Sequence, residues 1–304
     1  MTKKPLVVLI TCLSVLLLFC ACAQKPDLTA EKGEYTIVQM TDTQFYAKNN
    51  PEYYQAMTRF IADNAEKINL AYIVHTGDIV QDALTEEQWQ NADAAMQLLD
   101  GLPIGVLAGN HDTQNGDDRY AIFSRWFGEA RYKDKPFYGA GYADNRAHYD
   151  LITAGGRDFV IVCIGDEPNQ DCISFANLVF ASYPEWTGIL CTHQYLGEDS
   201  DLSSMGEYLQ KNIVADNPNV RLVLCGHIDG FKYFPADFDD DEDGTIDRSV
   251  AAISANFQAA DEAAKGALTF YKINEENSEL IIQTYSAVTG AFIEEGCLTV
   301  ALPW

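Results

Sequence analysis

The chain has 304 residues, 47% of them hydrophobic, which is enough for one large domain or two modest ones with a sizeable core. Its formal net charge of -25 argues against a nucleic-acid-binding protein, because such a protein needs a basic surface. The same charge repels phosphate-bearing substrates at long range. A phosphate-binding site in this chain would therefore depend on local cations, such as bound metal ions.

The N-terminal residues have the pattern of a secretory leader. Two lysines precede an apolar run from Pro5 to Phe19, which is short for a membrane span. Ala21 directly before Cys22 matches a bacterial lipobox, which makes Cys22 the lipidated first residue of the mature protein. We therefore expect a signal peptide over residues 1–21, a tether over residues 22–33 and an extracellular, membrane-anchored lipoprotein. Simple secretion and an uncleaved anchor are the alternatives, because the two residues before Ala21 depart from the lipobox pattern.

Hydrophobic periodicity predicts alternating strands and helices over residues 34–304, which we interpret as one domain. The predicted strands run from Tyr35 to Met40, Ala71 to His75, Pro103 to Leu107, Phe159 to Ile164, Gly188 to Cys191, Val220 to Cys225, Leu268 to Ile273, Leu280 to Tyr285 and Leu298 to Leu302. The predicted helices run from Pro51 to Ile68, Thr85 to Leu99, Ile173 to Ala181 and Leu202 to Val214. This order favours an α/β sheet core.

Five of the eight cysteines follow the leader. Three of the five lie in apolar runs, where a free cysteine packs as a small hydrophobic residue. Their spacing does not match a zinc ribbon, and it leaves a disulfide between Cys163 and Cys172 open.

Five of the predicted strands end in Asp, Asn or His residues. The endings are Thr41-Asp42-Thr43-Gln44, Thr76-Gly77-Asp78, Gly109-Asn110-His111-Asp112, Thr192-His193-Gln194 and Gly226-His227-Ile228-Asp229. One such ending is typical of turn chemistry. Ligands of an α/β sheet, however, bind at the carboxyl ends of its strands, and Asp, Asn and His are metal ligands. The repetition therefore predicts a metal site at that edge of the sheet.

These endings, in this order, resemble the signature of the calcineurin-like metallophosphoesterase family: DxH, GDxxxD, GNH followed by D or E, a lone His, and GHxH. The resemblance covers Tyr35 to Asp229, and the runs at 153–159 and 192–196 are similar to a secreted branch. It implies an α/β (α+β) fold, a four-layer αββα sandwich of two mixed sheets flanked by helices, with a dinuclear metal site at the strand ends. It also implies two divalent ions (Mn, Fe, Zn or Mg), a small-molecule or surface phosphoester as substrate, and a monomer.

The resemblance also implies a role for each site residue. Asp78 would bridge the two ions, because each of its oxygens can hold one cation. The other ligands divide between the ions, with Asp42, Gln44 and Asp229 at the first and Asn110, His193 and His227 at the second. His111 would face the substrate as a general acid or charge stabiliser. Asp112 would orient the imidazole of His111 and raise its pKa.

Two positions depart from the family pattern, and both belong to the first ion. Gln44 replaces a histidine, and Asp229 replaces the last histidine of GHxH. The first ion would then be held by oxygen atoms alone, which suits Mg²⁺, Mn²⁺ or Ca²⁺ better than zinc. We interpret this as a re-tuned enzyme site. The alternative is a non-catalytic, calcium-dependent surface-binding protein that retains the phosphoesterase fold.

An acidic segment near residue 240 matches part of a calcium-binding loop. Its candidate ligands, at loop positions 1, 3, 5, 7 and 9, are Asp239, Asp241, Asp243, Thr245 and Asp247. Gly244 stands at position 6, but Val250 occupies position 12, where a bidentate glutamate is expected. The segment therefore predicts an additional, incomplete calcium site, and a solvated acidic loop is the alternative.

Overall fold

A computed structural model describes residues 27–116 and 118–304, so the leader and Cys22 lie outside the described residues. Two six-stranded sheets pack face to face, and helices cover both outer faces. The predicted four-layer αββα sandwich is confirmed. In the part of the chain that the structure describes, no helix combines the length and apolar character needed to cross a bilayer.

Twelve strands are described, numbered in chain order. They are β1 (Tyr35–Met40), β2 (Leu70–His75), β3 (Ile104–Val106), β4 (Tyr138–Tyr142), β5 (Ala147–Ala154), β6 (Arg157–Ile164), β7 (Thr187–Thr192), β8 (Val220–Phe238), β9 (Arg248–Asn256), β10 (Ala267–Asn274), β11 (Glu279–Ser286) and β12 (Phe292–Ala301).

Seven α-helices are described, with short 3₁₀ or π turns between some of the elements. The helices are α1 (Gln44–Asn49), α2 (Pro51–Asn64), α3 (Glu86–Met96), α4 (Ala121–Phe127), α5 (Glu129–Tyr132), α6 (Gln170–Ser182) and α7 (Ser204–Leu209). The 3₁₀ turns lie at 97–99, 110–112 and 262–264, and a π turn at 210–214 follows α7.

Each sheet combines three parallel strands with three strands that pair antiparallel to a neighbour. The first sheet has the order β12-β11-β10-β1-β2-β3, in which β1, β2 and β3 are parallel. The second has the order β4-β5-β6-β7-β8-β9, in which β6, β7 and β8 are parallel. The parallel strands of each sheet therefore end at a common edge, which is where ligands bind in such sheets.

Three layers of side chains hold the sandwich together. Tyr35 and Val74 of the first sheet pack against Phe159 and Leu224 of the second in a buried core between the sheets. A second core joins α1 to α5 to the outer face of the first sheet, and a third joins α6 and α7 to the second sheet. Strands that are buried on both faces explain why the parallel strands read as continuous apolar runs.

Several predicted boundaries are corrected by the structure. The helix predicted to end at Ile68 ends at Asn64. The strand predicted to end at Cys225 continues to Phe238 because β9 pairs with it beyond a bulge. The sequence analysis missed β4, β5 and β9, in which small and polar residues weaken the strand pattern.

The packed domain begins before the predicted boundary at residue 34. Leu28 is buried in the core beneath the helices, and the amide of Ala30 donates a hydrogen bond to the carbonyl of Lys67. The described part of the predicted tether is therefore docked on the domain. Cys163 and Cys172 are both free thiols, so the disulfide left open by the sequence is absent from the described residues.

Candidate metal and catalytic site

The predicted ligands meet where the parallel strands of both sheets end. Asp42, Asp78 and Asn110 follow β1, β2 and β3, and His193 follows β7. His227 lies inside β8, at the bulge that interrupts its pairing with β9. One cleft of about 240 Å³ is lined by Asp42, Asp78 and Asn110 of the first sheet and by His227 of the second. The sequence separation of these residues is large, but the common edge of the two sheets brings them together.

Three of the candidate ligands have a left-handed backbone. The φ angle is 51° at Asp42, 55° at Asp78 and 71° at His227. This region costs a residue with a Cβ atom about 1–2 kcal/mol. Strain of this kind is concentrated at functional sites, where it places a side chain that an extended backbone would direct elsewhere.

The motif glycines are required by close packing around Asp78. A Cβ atom on Gly109 would lie 2.2 Å from Oδ1 of Asp78, and one on Gly77 would lie 2.5 Å from the amide nitrogen of Gly109. Both distances are far below van der Waals contact. Glycine therefore precedes Asp78 and Asn110 because the two backbone segments contact each other beside the carboxylate of Asp78.

We call Asn110, His193 and His227 the histidine half of the centre. Nε2 of His193 lies 3.0 Å from Oδ1 of Asn110, 3.2 Å from Nδ1 of His227 and 3.4 Å from Oδ1 of Asp78. Oδ1 of Asn110 also lies 3.0 Å from Nδ1 of His227. Donor atoms about 2.1 Å from a single ion have neighbours at about these separations. The spacing fits one metal ion.

The tautomer of His193 supports the same conclusion. Its Nδ1 lies 2.8 Å from the carbonyl of Thr76, so Nδ1 carries a proton and donates it to that carbonyl. In the neutral ring, Nε2 then carries a lone pair and acts as an acceptor. That lone pair faces the amide oxygen of Asn110, which is also an acceptor. Two acceptors facing each other require a cation or an extra proton between them. A metal ion bound to both satisfies this requirement.

The charges around His193 also favour a cation. Burial opposes a charge on its ring, but Asp78 and Asp42 raise the pKa of His193 to about 10. Burial raises the pKa of Asp42 to about 7, with the charge of His193 opposing and that of Asp78 adding to the shift. Burial also opposes ionisation of Asp78, but His193 and the amide of His111 hold its pKa below the usual value. The two carboxylates therefore favour a positive charge at this position, which a bound metal ion would supply.

We call Asp42, Gln44 and Asp229 the acidic half of the centre. Nε2 of Gln44 donates to Oδ2 of Asp78 at 3.1 Å, while Oε1 of Gln44 is buried and has no hydrogen-bond partner among the described residues. A buried amide oxygen without a donor is costly and suits a cation. Oδ2 of Asp42 accepts hydrogen bonds from the hydroxyl of Thr41 and the amide of His227. Asp229 is exposed at the rim of the same cleft.

Asp78 lies between the two halves. Its Oδ1 faces Nε2 of His193 and accepts the amide of His111 at 2.9 Å, whereas its Oδ2 faces Gln44. Each carboxylate oxygen is therefore directed to a different half. This arrangement is what a bridging ligand requires.

His111 is oriented by Gln81. Its Nδ1 lies 2.9 Å from the backbone carbonyl of Gln81, which leaves Nε2 for other partners. The amide nitrogen of the Gln81 side chain also lies 3.1 Å from Nδ1. His111 is partly buried and lines the same cleft as Asp78 and Asn110. It is therefore placed to exchange a proton through Nε2 with a molecule bound in the cleft.

The prediction that Asp112 orients the ring of His111 is wrong. Oδ1 of Asp112 accepts the amides of Ile79 and Val80, and Oδ2 accepts the amide of Gly109. The carboxylate thus ties the turn after β2 to the turn after β3. Burial, together with the charge of Asp78, raises the pKa of Asp112 against the effect of its amide donors. The tight turn at 110–112 directs neighbouring side chains to different sides, which the sequence does not show.

The acidic loop between β8 and β9 brings three predicted ligands together. Oxygen atoms of Asp239, Asp241 and Asp247 lie within 4.8 Å of one another. The carboxylate of Asp239 accepts the amides of Asp243 and Gly244. Oδ1 of Asp243 accepts the amide of Thr245. Val250, at position 12, is buried in β9 and offers no ligand atom to the loop.

Sequence reasoning missed four contributors to the site. Thr76 and Gln81 act through backbone carbonyls, which have no signature in the side-chain pattern. Asn256 and Gln258 line the cleft from the end of β9, a strand that the sequence analysis did not predict. A correct prediction of β9 would have placed Asn256 and Gln258 at the same sheet edge as the other site residues.

The comparisons with known proteins agree with this geometry. A model of calcineurin-like phosphoesterases matches residues 35–229. The chain belongs to the calcineurin-like phosphoesterase family. The sequence-based recognition of the family is therefore confirmed.

Two curated relatives extend the comparison. The chain is 39% identical over 262 residues to the uncharacterized protein YvnB of Bacillus subtilis (strain 168), covering 86% of this chain and 20% of YvnB. It is 24% identical over 171 residues to a probable cyclic nucleotide phosphodiesterase of Colwellia psychrerythraea (strain 34H), covering 56% of this chain and 59% of that protein. The chain thus spans one fifth of the first relative and about three fifths of the second.

Among solved structures, the chain is similar to the purple acid phosphatase PPD1 from seeds of yellow lupin (Lupinus luteus). The TM-score is 0.57 at 14% identity, over 91% of this chain and 55% of the phosphatase. At this identity the similarity shows the fold alone. It agrees with the two mixed sheets and flanking helices described above.

Proposed function

We propose that this phosphoesterase hydrolyses a phosphoric monoester or diester outside the cell, with the dinuclear centre built from the histidine half, the acidic half and the bridging Asp78. The observation that carries the proposal is the division of the two Asp78 oxygens between the two halves. The unpartnered Oε1 of Gln44 and the facing acceptors of His193 and Asn110 support a cation in each half. The Colwellia relative, a probable cyclic nucleotide phosphodiesterase, supports a phosphodiester as substrate.

The metal pair, when bound, supplies an activated water and neutralises the phosphoryl oxygens. The residues of the chain do the rest. The buried carboxylates of Asp42 and Asp78 and the imidazole of His193 would hold the pair at the sheet edge. The carbonyl of Gln81 keeps His111 oriented, and Nε2 of His111 donates a proton to the departing alcohol or stabilises the charge that develops there.

The proposal is tested with aryl phosphates. The purified chain is assayed with bis(4-nitrophenyl) phosphate and with 4-nitrophenyl phosphate, each with Mn²⁺, Mg²⁺ or Zn²⁺ and with EDTA. We expect hydrolysis that requires a divalent ion and is lost with EDTA. Absence of hydrolysis with every ion would contradict the proposal.

We also propose that the chain is a bacterial lipoprotein anchored to the outer surface through Cys22. The basic residues, apolar run and small residues of the leader support this, although they lie outside the described residues. Replacement Cys22→Ala should release the protein into the medium. If the variant stays with the membrane fraction as the unchanged chain does, Cys22 is not the anchor.

A non-catalytic, calcium-dependent binding protein remains the second candidate. The clustered oxygen atoms of Asp239, Asp241 and Asp247 favour it, as does the replacement of two family histidines by Gln44 and Asp229. The two candidates differ in the aryl phosphate assay. Turnover with Mn²⁺ or Mg²⁺ supports the enzyme, whereas calcium-dependent stabilisation without turnover supports the binding protein.

A further inference from the structure

A second cavity adjoins the metal cleft. We call it the side groove; its volume is about 460 Å³, and its outer wall is formed by Asp82, Leu84, Thr113, Arg119, Asp166 and Glu167. It shares Gln81, Asn110 and His111 with the metal cleft, so the two cavities adjoin at these residues. His111 stands at the junction. For an alcohol that leaves phosphorus with a proton from His111, the side groove offers room for its remaining atoms.

The side groove has negative charge and no free cation among its described lining residues. Three of its carboxylates, on Asp82, Asp166 and Glu167, stand against the single guanidinium of Arg119. Both terminal nitrogens of that guanidinium are engaged, because they donate to Asp166 at 3.2 Å, to the hydroxyl of Thr113 at 2.9 Å and to Glu167, and its buried Nε alone has no partner among the described residues. An anionic group entering the groove would therefore meet net repulsion, whereas a cation would meet attraction.

The acceptors of the groove agree with this charge. Oε1 of Gln81 is buried and has no hydrogen-bond partner among the described residues, and Gln81 belongs to both cavities. An ammonium or hydroxyl group would satisfy it as a donor, and a carboxylate or phosphate would not. Leu84 adds an apolar rim, since 73% of its surface is exposed. A short alkyl chain that ends in an amine fits these three features.

We infer that the side groove binds the leaving alcohol of the substrate and that this alcohol is an amino alcohol. The inference rests on the proposed function and names the substrate class: phosphoric esters of an alcohol that carries a positive charge. Phosphorus gains the oxygen of one water molecule, and its bond to the amino-alcohol oxygen breaks with the electron pair on that oxygen. The oxygen takes a proton from His111, and the proton released by the water restores His111.

Three phosphodiesters that share a methyl arm test the inference. Their second arms are ethanolamine, ethylene glycol and glycolate, which carry a positive, a neutral and a negative group. We expect kcat/KM to fall in that order, by about tenfold or more between the first and the last, as an interaction of about 1.4 kcal/mol gives. The product identified by ³¹P NMR should be methyl phosphate, because the amino alcohol is the leaving group.

Two variants should shift the discrimination in opposite directions. Asp166→Asn removes a negative charge and frees Arg119, so the ratio of kcat/KM for the ethanolamine ester to that for the glycolate ester should fall severalfold. Arg119→Gln should raise the ratio. A loss of fold would lower all three rates together and leave the ratio unchanged. Asp82→Asn, at the exposed rim, lowers the ratio without touching the buried Asp166, and Glu185→Gln, outside both cavities, is the matched control.

The outcomes separate the two proposals. Hydrolysis of all three esters at equal kcat/KM, or a preference for the glycolate ester, would overturn the amino-alcohol inference and leave the phosphoesterase proposal intact. The same holds if Asp166→Asn, Asp82→Asn and Arg119→Gln all hydrolyse the aryl phosphates at the rate of the unchanged chain and also keep its ratio. Failure to hydrolyse any of the esters or the aryl phosphates with any divalent ion would overturn both.

Discussion

The two halves of the metal centre are built differently. In the histidine half, His193 is fully buried and its ring is fixed by the carbonyl of Thr76. Its partner atoms on Asn110 and His227 already lie at metal-ligand spacing. In the acidic half, Oε1 of Gln44 has no partner within the described structure, and Asp229 is exposed at the rim.

The histidine half is therefore preorganised for an ion, whereas the acidic half needs a bound ion to satisfy its ligand atoms. Ligands fixed by the fold lose little freedom on binding, so they hold an ion firmly. The histidine half also offers imidazole, which suits transition metals, whereas the acidic half offers oxygen, which suits harder ions. We therefore expect the second ion to survive purification and the first to be lost and refilled by added Mn²⁺ or Mg²⁺. Metal analysis before and after dialysis measures this asymmetry.

The largest effect is expected from His227→Ala. The substitution removes a proposed ligand of the histidine half and leaves Asn110 and His193 without the ring that lies beside them. Activity should be abolished at every metal concentration, and one of the two ions should be missing by metal analysis. Recovery of activity at high Mn²⁺ would mean that the histidine half is not the indispensable one.

His111→Ala should cause the next largest loss. A positioned general acid contributes about 10²–10⁴-fold to turnover, and kcat should fall by that factor. The ring donates no ligand atom in either half, so the metal content should be unchanged. A variant that loses metal together with activity would show that His111 holds the centre rather than the substrate.

Asp112→Ala should affect stability more than turnover. Its carboxylate accepts three buried amides, and leaving them unpaired should cost more than about 2 kcal/mol in the free energy of unfolding. Urea unfolding measures the loss, and kcat of the folded fraction measures its consequence. If kcat falls as far as in His111→Ala while stability is unchanged, the predicted orienting role of Asp112 would be restored.

Asp229→His tests the acidic half with a smaller change. The substitution restores the family residue, so activity should persist while the preferred added ion shifts from Mn²⁺ or Mg²⁺ toward zinc or iron. Rates at saturating levels of each ion give the preference. Inactivity with all of them would show that Asp229 does something other than bind the first ion.

The smallest effect is expected at the acidic loop. Asp241→Ala and Asp243→Ala should lower the melting temperature by a few degrees in calcium and not at all in EDTA, because a ligand of the folded state stabilises it by mass action. Asp199→Ala, an exposed acidic residue outside this loop, is the control. Equal melting curves of the unchanged chain with calcium and with EDTA would leave a solvated loop.

The sequence located the candidate metal ligands better than the groups that orient them. Asp78, Asn110 and His193 were found because side-chain identity and strand periodicity both mark them. The carbonyls of Thr76 and Gln81 were not found, since every residue has a carbonyl and only the fold selects one. The role of Asp112 was predicted wrongly, because adjacency in sequence to His111 does not give direction in a tight turn.

The sequence by itself determined the family, the layer architecture and the residue types of the metal centre, because apolar periodicity and strand-end motifs are local patterns. Tertiary structure decided which atoms face one another. It turned the two oxygens of Asp78 to different halves, set Asp229 at an exposed rim, and joined Arg119 to Asp166 beside the metal cleft. These relations depend on the meeting of two sheet edges and on backbone torsions such as the left-handed φ of His227. Such relations are properties of packing, which no short stretch of sequence contains.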